Sequence, residues 1–262
     1  MGKVYLVGAG PGAPDLLTLR GARILECADI VFHDALVHPE VLALASRARI
    51  VPVGKRCSQI STDQRFINRN LVEAAQRHEV VVRLKGGDPM LFGRAQEEID
   101  ALTANGIEYE VVPGVTAALG ASAELGVSLT RRGVSRSVVF ATPRIGEDQH
   151  GDARDGWAQA VAAADTAVLY MSRGEAPRLV AALRAAGLPA DHPTAIVESA
   201  SLPQARQLRC TLEQLPAQAA QTSSGPALVI LGKVLSGTAA ASVPSTDDDT
   251  WNSATSAIAR AL

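Results

Sequence analysis

Apolar and polar positions fall into two alternating textures along the 262-residue chain. Short runs rich in β-branched residues, "KVYLVG", "DIVFHD", "RIVPVG", "EVVVRLKG" and "IEYEVVPG", are separated by longer stretches of Ala, Leu, Arg and Glu. That alternation predicts β-α units around a mostly parallel sheet, an α/β class of fold. Helices are expected after Thr18, Pro39, Thr62 and Gly93, with Thr62 suited to an N-cap and Gly106 to a C-terminal stop. These elements make a first domain over residues 1–113. A helix of small residues, "VTAALGASAELG", opens a second series with strands "SRSVVFAT", "DTAVLYMS", "HPTAIVES", "ARQLRCTL" and "ALVILGKV". Two of those strands follow each other closely, so the second sheet is expected to be mixed, in a domain over 114–235. "PRIGEDQHGDARDG" reads as a polar surface loop, and residues 236–262, with little apolar periodicity, read as a mobile tail.

The stretch "VYLVGAGPGAPDLLTL" places Gly8, Gly10 and Gly12 where the first strand ends. Its G-x-G-x-x-A spacing satisfies a loose dinucleotide-binding fingerprint, and Asp29 or Asp34 falls where a ribose-binding acid would. Such a site needs a helix starting at the glycines, so that its N-terminal N–H groups hold the pyrophosphate. Pro11 and Pro14 push their preceding residues away from helical geometry. The helix is therefore expected only near Thr18, and the loop suits a ligand without phosphate. In "RLKGGDPMLFGRAQEEI" two consecutive glycines let a ligand approach the backbone, and Asp88 can accept hydrogen bonds from hydroxyl or ammonium groups; a simple turn with an exposed acid is the alternative.

Composition narrows the partners. A net charge of -2 and 3% aromatic content leave neither the basic footprint nor the stacking platforms of a nucleic-acid binder. The three cysteines, Cys27, Cys57 and Cys210, are widely spaced and odd in number, which suits a reducing compartment. No apolar stretch approaches the roughly 18 residues of a membrane helix, and no leader precedes the first strand, so a cytoplasmic protein without membrane contact is expected. His33 and His38 lack a third ligand at suitable spacing, and no metal site is expected.

"VGAGPGAPDLLTL", "ADIVFHDALV", "VGKR", "RLKGGDPMLFGR..EE" and "VVPGVTAA" occur in the order and spacing of the tetrapyrrole methylases, and the chain resembles that family over residues 2–235. The resemblance is to the branch that methylates uroporphyrinogen III twice to give precorrin-2, on the route to sirohaem or cobalamin. It implies a homodimer of two-domain subunits with S-adenosylmethionine folded in the cleft between domains. Since the dehydrogenase and chelatase region of bifunctional relatives is not in this sequence, methyl transfer is the activity it implies. Residue by residue, it assigns cofactor contacts to Pro11, Gly86, Gly87, Asp88, Leu91, Thr116, Ala117, Met171 and Ala200. Taken singly, Pro11 could stiffen a loop, Leu91 and Met171 could be core, and Thr116 could cap a helix.

Asp34 and Lys55 match the positions that the resemblance assigns as proton acceptor and proton donor. Asp34 could instead cap a turn, and Lys55 could bind a substrate carboxylate. A carboxylate-rich substrate calls for local positive charge, for which Arg94, Arg131 and Arg144 are the leading candidates, with Arg56, Arg83, Lys85, Arg132 and Arg136 nearby in sequence. Relatives commonly read "GGDPFIFGRGGEE", "PLTHR" and "TGH" where this chain has "GGDPMLFGRAQEE", "SLTRR" and "TPR". The departures leave open another corrinoid substrate or a binding relative of low turnover. A nicotinamide oxidoreductase rests on the loose glycine spacing alone.

Overall fold

The computed structural model describes residues 1–54, 64–144, 156–223 and 225–236. The first sheet comprises β1 (Lys3–Gly8), β2 (Ile30–His33), β3 (Arg49–Pro52), β4 (Val80–Lys85) and β5 (Tyr109–Val112). Their order is β3-β2-β4-β1-β5 and every pair is parallel. Helices α1 (Leu19–Cys27) and α2 (Pro39–Ala43) bury Leu25 and Val41 on one face, against Val7, Val31, Val82 and Leu84. On the other face α3 (Gln64–Ala75) and α4 (Ala95–Ala104) bury Ile67, Leu71, Ile99 and Leu102 against Val4, Leu6, Phe32 and Val81. The central strands β1 and β4 are covered on both faces, which is why their sequences are nearly continuous apolar runs. Each fully buried leucine contributes roughly 1.5–3 kcal/mol. The helices that follow the neighbours β1 and β4 pack on opposite faces, so the carboxyl ends of these two strands form a topological switch point, where open α/β sheets bind ligands.

The second sheet comprises β6 (Val138–Ala141), β7 (Thr166–Leu169), β8 (Pro193–Glu198), β9 (Arg206–Thr211) and β10 (Ala227–Gly232). It runs β6-β7-β10-β8-β9, with β6 and β7 parallel and the other pairs antiparallel, so it is mixed as expected. The small-residue helix α5 (Ala117–Leu125) lays Ala118 and Ala121 on one face, close to the sheet because neither side chain holds it away. Helices α6 (Gly156–Ala163), α7 (Ala176–Ala185) and α8 (Leu215–Ala219) cover the other.

All ten strands lie within the runs read from the sequence. Helix α1 starts after Thr18, whose Oγ1 accepts from the Gly21 N–H at 3.1 Å. Gly106, with φ 64°, follows the end of α4 as a left-handed stop. Thr62, Cys57, the loop over 145–155 and residues 237–262 lie outside the described residues. Among the described residues no helix is long and apolar enough to cross a membrane.

Candidate functional site

The loops after β1, β4 and β5 leave the same sheet edge and converge on three glycines. A Cβ on Gly8 would lie 2.6 Å from Gly114 Cα and 2.7 Å from Gly87 O, and one on Gly114 would lie 2.3 Å from Gly87 O. Only glycine permits that approach of backbone to backbone. Gly10 N donates to Gly87 O at 3.3 Å and Gly87 N to Gly10 O at 2.7 Å, which stitches two of the loops together. Asp88 closes the arrangement: its carboxylate accepts from Met90 N at 2.8 Å and from Gly114 N at 2.9 Å. Toward the outside, Cβ atoms added at Gly86 and Gly87 would meet nothing closer than 3.5 and 3.8 Å, so the α-carbon faces of both residues are open to a ligand.

The loop after β1 carries a 3-10 turn at Pro14–Leu16 before α1, and the start of α1 is satisfied by its own cap. The N-terminus of α1 is set back from the glycines, so the loop after β1 does not form the strand-to-helix pyrophosphate cradle of a dinucleotide site. It crosses instead to the second sheet. A Cβ on Gly120 would fall 2.9 Å from Pro11 Cβ and 3.7 Å from Ala200 Cβ, and one on Gly12 would fall 2.8 Å from Leu202 Cγ. Ala13 N donates to Ser201 Oγ at 3.0 Å, and Ser201 N to Glu124 Oε1 at 2.8 Å.

Tyr170, just after β7, makes the second crossing. Its ring lies 4.9 Å from Phe92 of the β4 loop and 6.1 Å from Phe140. Its hydroxyl pairs with Thr116 Oγ1 at 2.6 Å and accepts from Ala118 N at 3.2 Å. Thr116 thus sits at the N-cap position of α5, but the capping oxygen is Tyr170's. Burial raises the Tyr170 pKa against the pull of those two hydrogen bonds, which keeps the phenol neutral. Among the described residues, the non-glycine residues with positive φ are Phe92, Arg94, Met171, Ser199 and Ser201, all on these loops. Each costs roughly 1–2 kcal/mol, and strain of this kind gathers where a ligand shapes the backbone. Leu36, Met90, Phe92, Leu119, Phe140 and Met171 expose apolar surface on the same edge. Open glycine faces and an apolar rim fit S-adenosylmethionine, a nucleoside joined to an amino acid.

Beside this rim lies a buried chain of charges. Asp34, just after β2 and 31% exposed, accepts from Arg83 Nη2 at 2.5 Å through Oδ1. Arg83 Nε donates to Glu98 Oε1 at 3.0 Å, and Lys85 Nζ donates to both Glu98 oxygens at 3.0 and 2.9 Å. Gln64 Nε2 adds a bond to Glu98 Oε1 at 3.2 Å. Burial works against the Arg83 charge, but Asp34 and Glu98 outweigh it and lift its pKa above the ordinary arginine value. Burial, reinforced by Arg83, lowers the Lys85 pKa despite Glu98.

Pro11, Gly86, Gly87, Asp88, Leu91, Thr116, Met171 and Ala200 lie on the loops of this edge, and Ala117 opens α5 there. Arg144 follows β6 onto it and is exposed, and Arg94 is there too, forked onto Glu97 at 2.7 and 2.8 Å. Arg131 is not. It belongs to a tight turn before β6, bridged to Ser135, and β6 runs from there toward the cleft. Arg131 therefore sits at the opposite edge, in a shallow depression with Asp191, His192 and Lys233. Arg83 and Lys85 are also corrected as substrate-binding cations, since both are buried and spent on carboxylates. Lys55 and Arg56 lie outside the described residues. Tyr170 and Glu98 escaped the sequence reading; the second acid of "EE", facing inward one helical turn beyond "FGR", was the available signal for Glu98.

The switch-point cleft, the glycine node and the mixed second sheet define a class of protein, and the chain belongs to it: the profile of the tetrapyrrole (corrin/porphyrin) methylases matches residues 3–216. Among solved structures, uroporphyrin-III C-methyl transferase from Thermus thermophilus complexed with S-adenyl homocysteine is 40% identical, with a TM-score of 0.78 over 89% of this chain and 99% of that one. Siroheme synthase of Azotobacter vinelandii is 44% identical over 242 residues, and that of Zymomonas mobilis 46% over 234 residues. These alignments cover 90% and 89% of this chain but 50% and 49% of the relatives, so the chain spans about half the length of the curated proteins it matches.

Proposed function

We propose that this chain is an S-adenosylmethionine-dependent C-methyltransferase that converts uroporphyrinogen III to precorrin-2 by two successive transfers, as a cytoplasmic homodimer. The observation that carries the reading is the glycine node, which opens the faces of Gly86 and Gly87 to a ligand while α1 starts too late to form a dinucleotide cradle. The likeness to the Thermus methyltransferase supports the same reaction class. When bound, S-adenosylmethionine supplies an electrophilic methyl group. Pro11, Gly86, Gly87, Leu91, Thr116, Ala117, Met171 and Ala200 would hold it by apolar contact and peptide hydrogen bonds, with Asp88 fixing the loop that presents Gly87. The organisation is two domains, 1–113 and 114–235, with this site between them.

A pyrrole carbon of the substrate is electron-rich, so holding it in line with the methyl group supplies much of the acceleration. Asp34 then accepts the proton that leaves the methylated ring system, and Lys55 serves as donor. Arg94 and Arg144 receive carboxylate arms at the rim. The decisive experiment incubates the protein anaerobically with uroporphyrinogen III and methyl-labelled cofactor. Expected is a singly labelled intermediate followed by a doubly labelled product; cofactor binding without label transfer would overturn the reading in favour of another tetrapyrrole or a binding role.

A further inference from the structure

Glu98 touches no surface, yet it accepts hydrogen bonds from Arg83, Lys85 and Gln64 at once. Arg83 is held at each of its three nitrogens: Nε by Glu98, Nη1 by the Leu84 carbonyl at 3.2 Å, and Nη2 by Asp34. Among the described ions of this network Asp34 alone reaches solvent, and its Oδ1 is the atom engaged by the guanidinium. A long side chain anchored at one end in a well-packed interior has few rotamers left, so the far end of Arg83 becomes a fixed post. We infer that Glu98 is a positioning residue for methyl transfer: it pins Arg83, and through Arg83 sets the orientation in which Asp34 meets the substrate. Lys85 balances the Glu98 charge in the interior and does not reach the cleft. The inference rests on the proposed reaction, in which Asp34 faces the substrate.

Two double variants separate positioning from folding. Glu98→Leu with Lys85→Met replaces the buried ion pair by apolar groups of similar volume, an exchange that proteins commonly tolerate, but leaves Arg83 Nε without its anchor. Glu98→Gln with Lys85→Met is equally neutral and keeps an oxygen that can accept from Arg83 Nε. Expected is a kcat loss of roughly 10- to 100-fold in the Leu/Met variant, the scale of a misplaced catalytic group, with KM and S-adenosylhomocysteine affinity within about 3-fold. The Gln/Met variant should recover most of that kcat. In an Asp34→Asn background the Leu/Met exchange should cost less than about 3-fold further, because the residue it positions has already lost its function. Equal losses in the two double variants, or additive losses in the Asp34→Asn background, would overturn the positioning role while leaving the reaction intact. A wild-type chain that transfers no methyl group to a tetrapyrrole overturns both.

Discussion

The two edges of the second sheet are built in different ways. At the edge facing the first sheet, Tyr170 reaches Phe92, Thr116 and Ala118, Ser201 takes the Ala13 N–H, and Met171, Ser199 and Ser201 hold left-handed backbone. At the far edge the turns are ordinary. Gly126 and Gly133 have positive φ with nothing within 4 Å of an added Cβ, and Arg131 and Lys233 project from exposed positions. The near edge gathers three glycines packed backbone to backbone beside strained non-glycine residues, whereas at the far edge Gly126 and Gly133 only turn the chain and, among the described residues, a single glycine, Gly232, packs closely, its added Cβ 2.7 Å from Asp165 O. Neither a positive φ nor one hemmed-in glycine marks a site, since an added Cβ on Gly2, at the opposite end of β1, would fall 1.8 Å from His78 O; several such glycines converging beside strained loops do.

The largest effect should come from breaking that distinction at Gly114. Its Cβ would meet Gly87 O at 2.3 Å, so Gly114→Ala must displace the loop that Asp88 and Gly87 form. Calorimetry should show S-adenosylhomocysteine affinity falling by more than 100-fold, about 3 kcal/mol, together with a lower melting temperature. Gly126→Ala, at the far end of α5, meets no neighbour and costs only the left-handed penalty of roughly 1–2 kcal/mol in stability, with affinity unchanged. Equal losses of affinity in the two variants would dissolve the contrast.

The strands and the late start of α1 were legible because they depend on local chemistry: β-branched runs, and prolines that delay the helix to Thr18. The node was half legible. "KGGDP" marked an approach to backbone, but the partners Gly8, ending β1, and Gly114, just after β5, lie far apart in sequence. The ionic chain was misread because Arg83 and Lys85 sit beside the ligand motif in sequence while alternation turns both toward α4. Arg131 was misplaced although its position before β6 implied the amino end of that strand. Tyr170 had no signal at all, since its role exists only once α5 packs on the second sheet.

A moderate effect should separate the arginines. Arg144 lies at the near edge and Arg131 at the far one, both exposed. Arg144→Ala should raise the KM for uroporphyrinogen III by about 5- to 10-fold, the discounted worth of an exposed charge-assisted contact, while Arg131→Ala changes it by less than about 2-fold. A matching rise for Arg131→Ala would mean that the far edge of one subunit completes the cleft of its partner, which analytical ultracentrifugation of the same variants would then test.

The smallest effect is expected from acid at the far edge. Burial first, and the Lys233 charge second, lower the pKa of His192 in the folded protein, with Asp191 opposing. The unfolded chain therefore binds this proton at a higher pH than the folded one does. Between the two values the unfolded state carries more protons, so stability rises with pH. Lowering the pH through the ordinary histidine value of about 6.5 should cost stability until the folded pKa is passed, after which the loss levels off. Because the ring is half exposed, solvent screens much of the effect, and a shift of about 1–2 °C in melting temperature between pH 7.5 and pH 5.5 is expected from this group, the response of a domain this size to a fraction of 1 kcal/mol. His192→Gln should remove that increment and leave S-adenosylhomocysteine affinity untouched at both pH values. A variant whose melting temperature falls as steeply with acid as the wild type's would place the acid sensitivity elsewhere, and a variant with altered affinity would tie the far edge to the cleft.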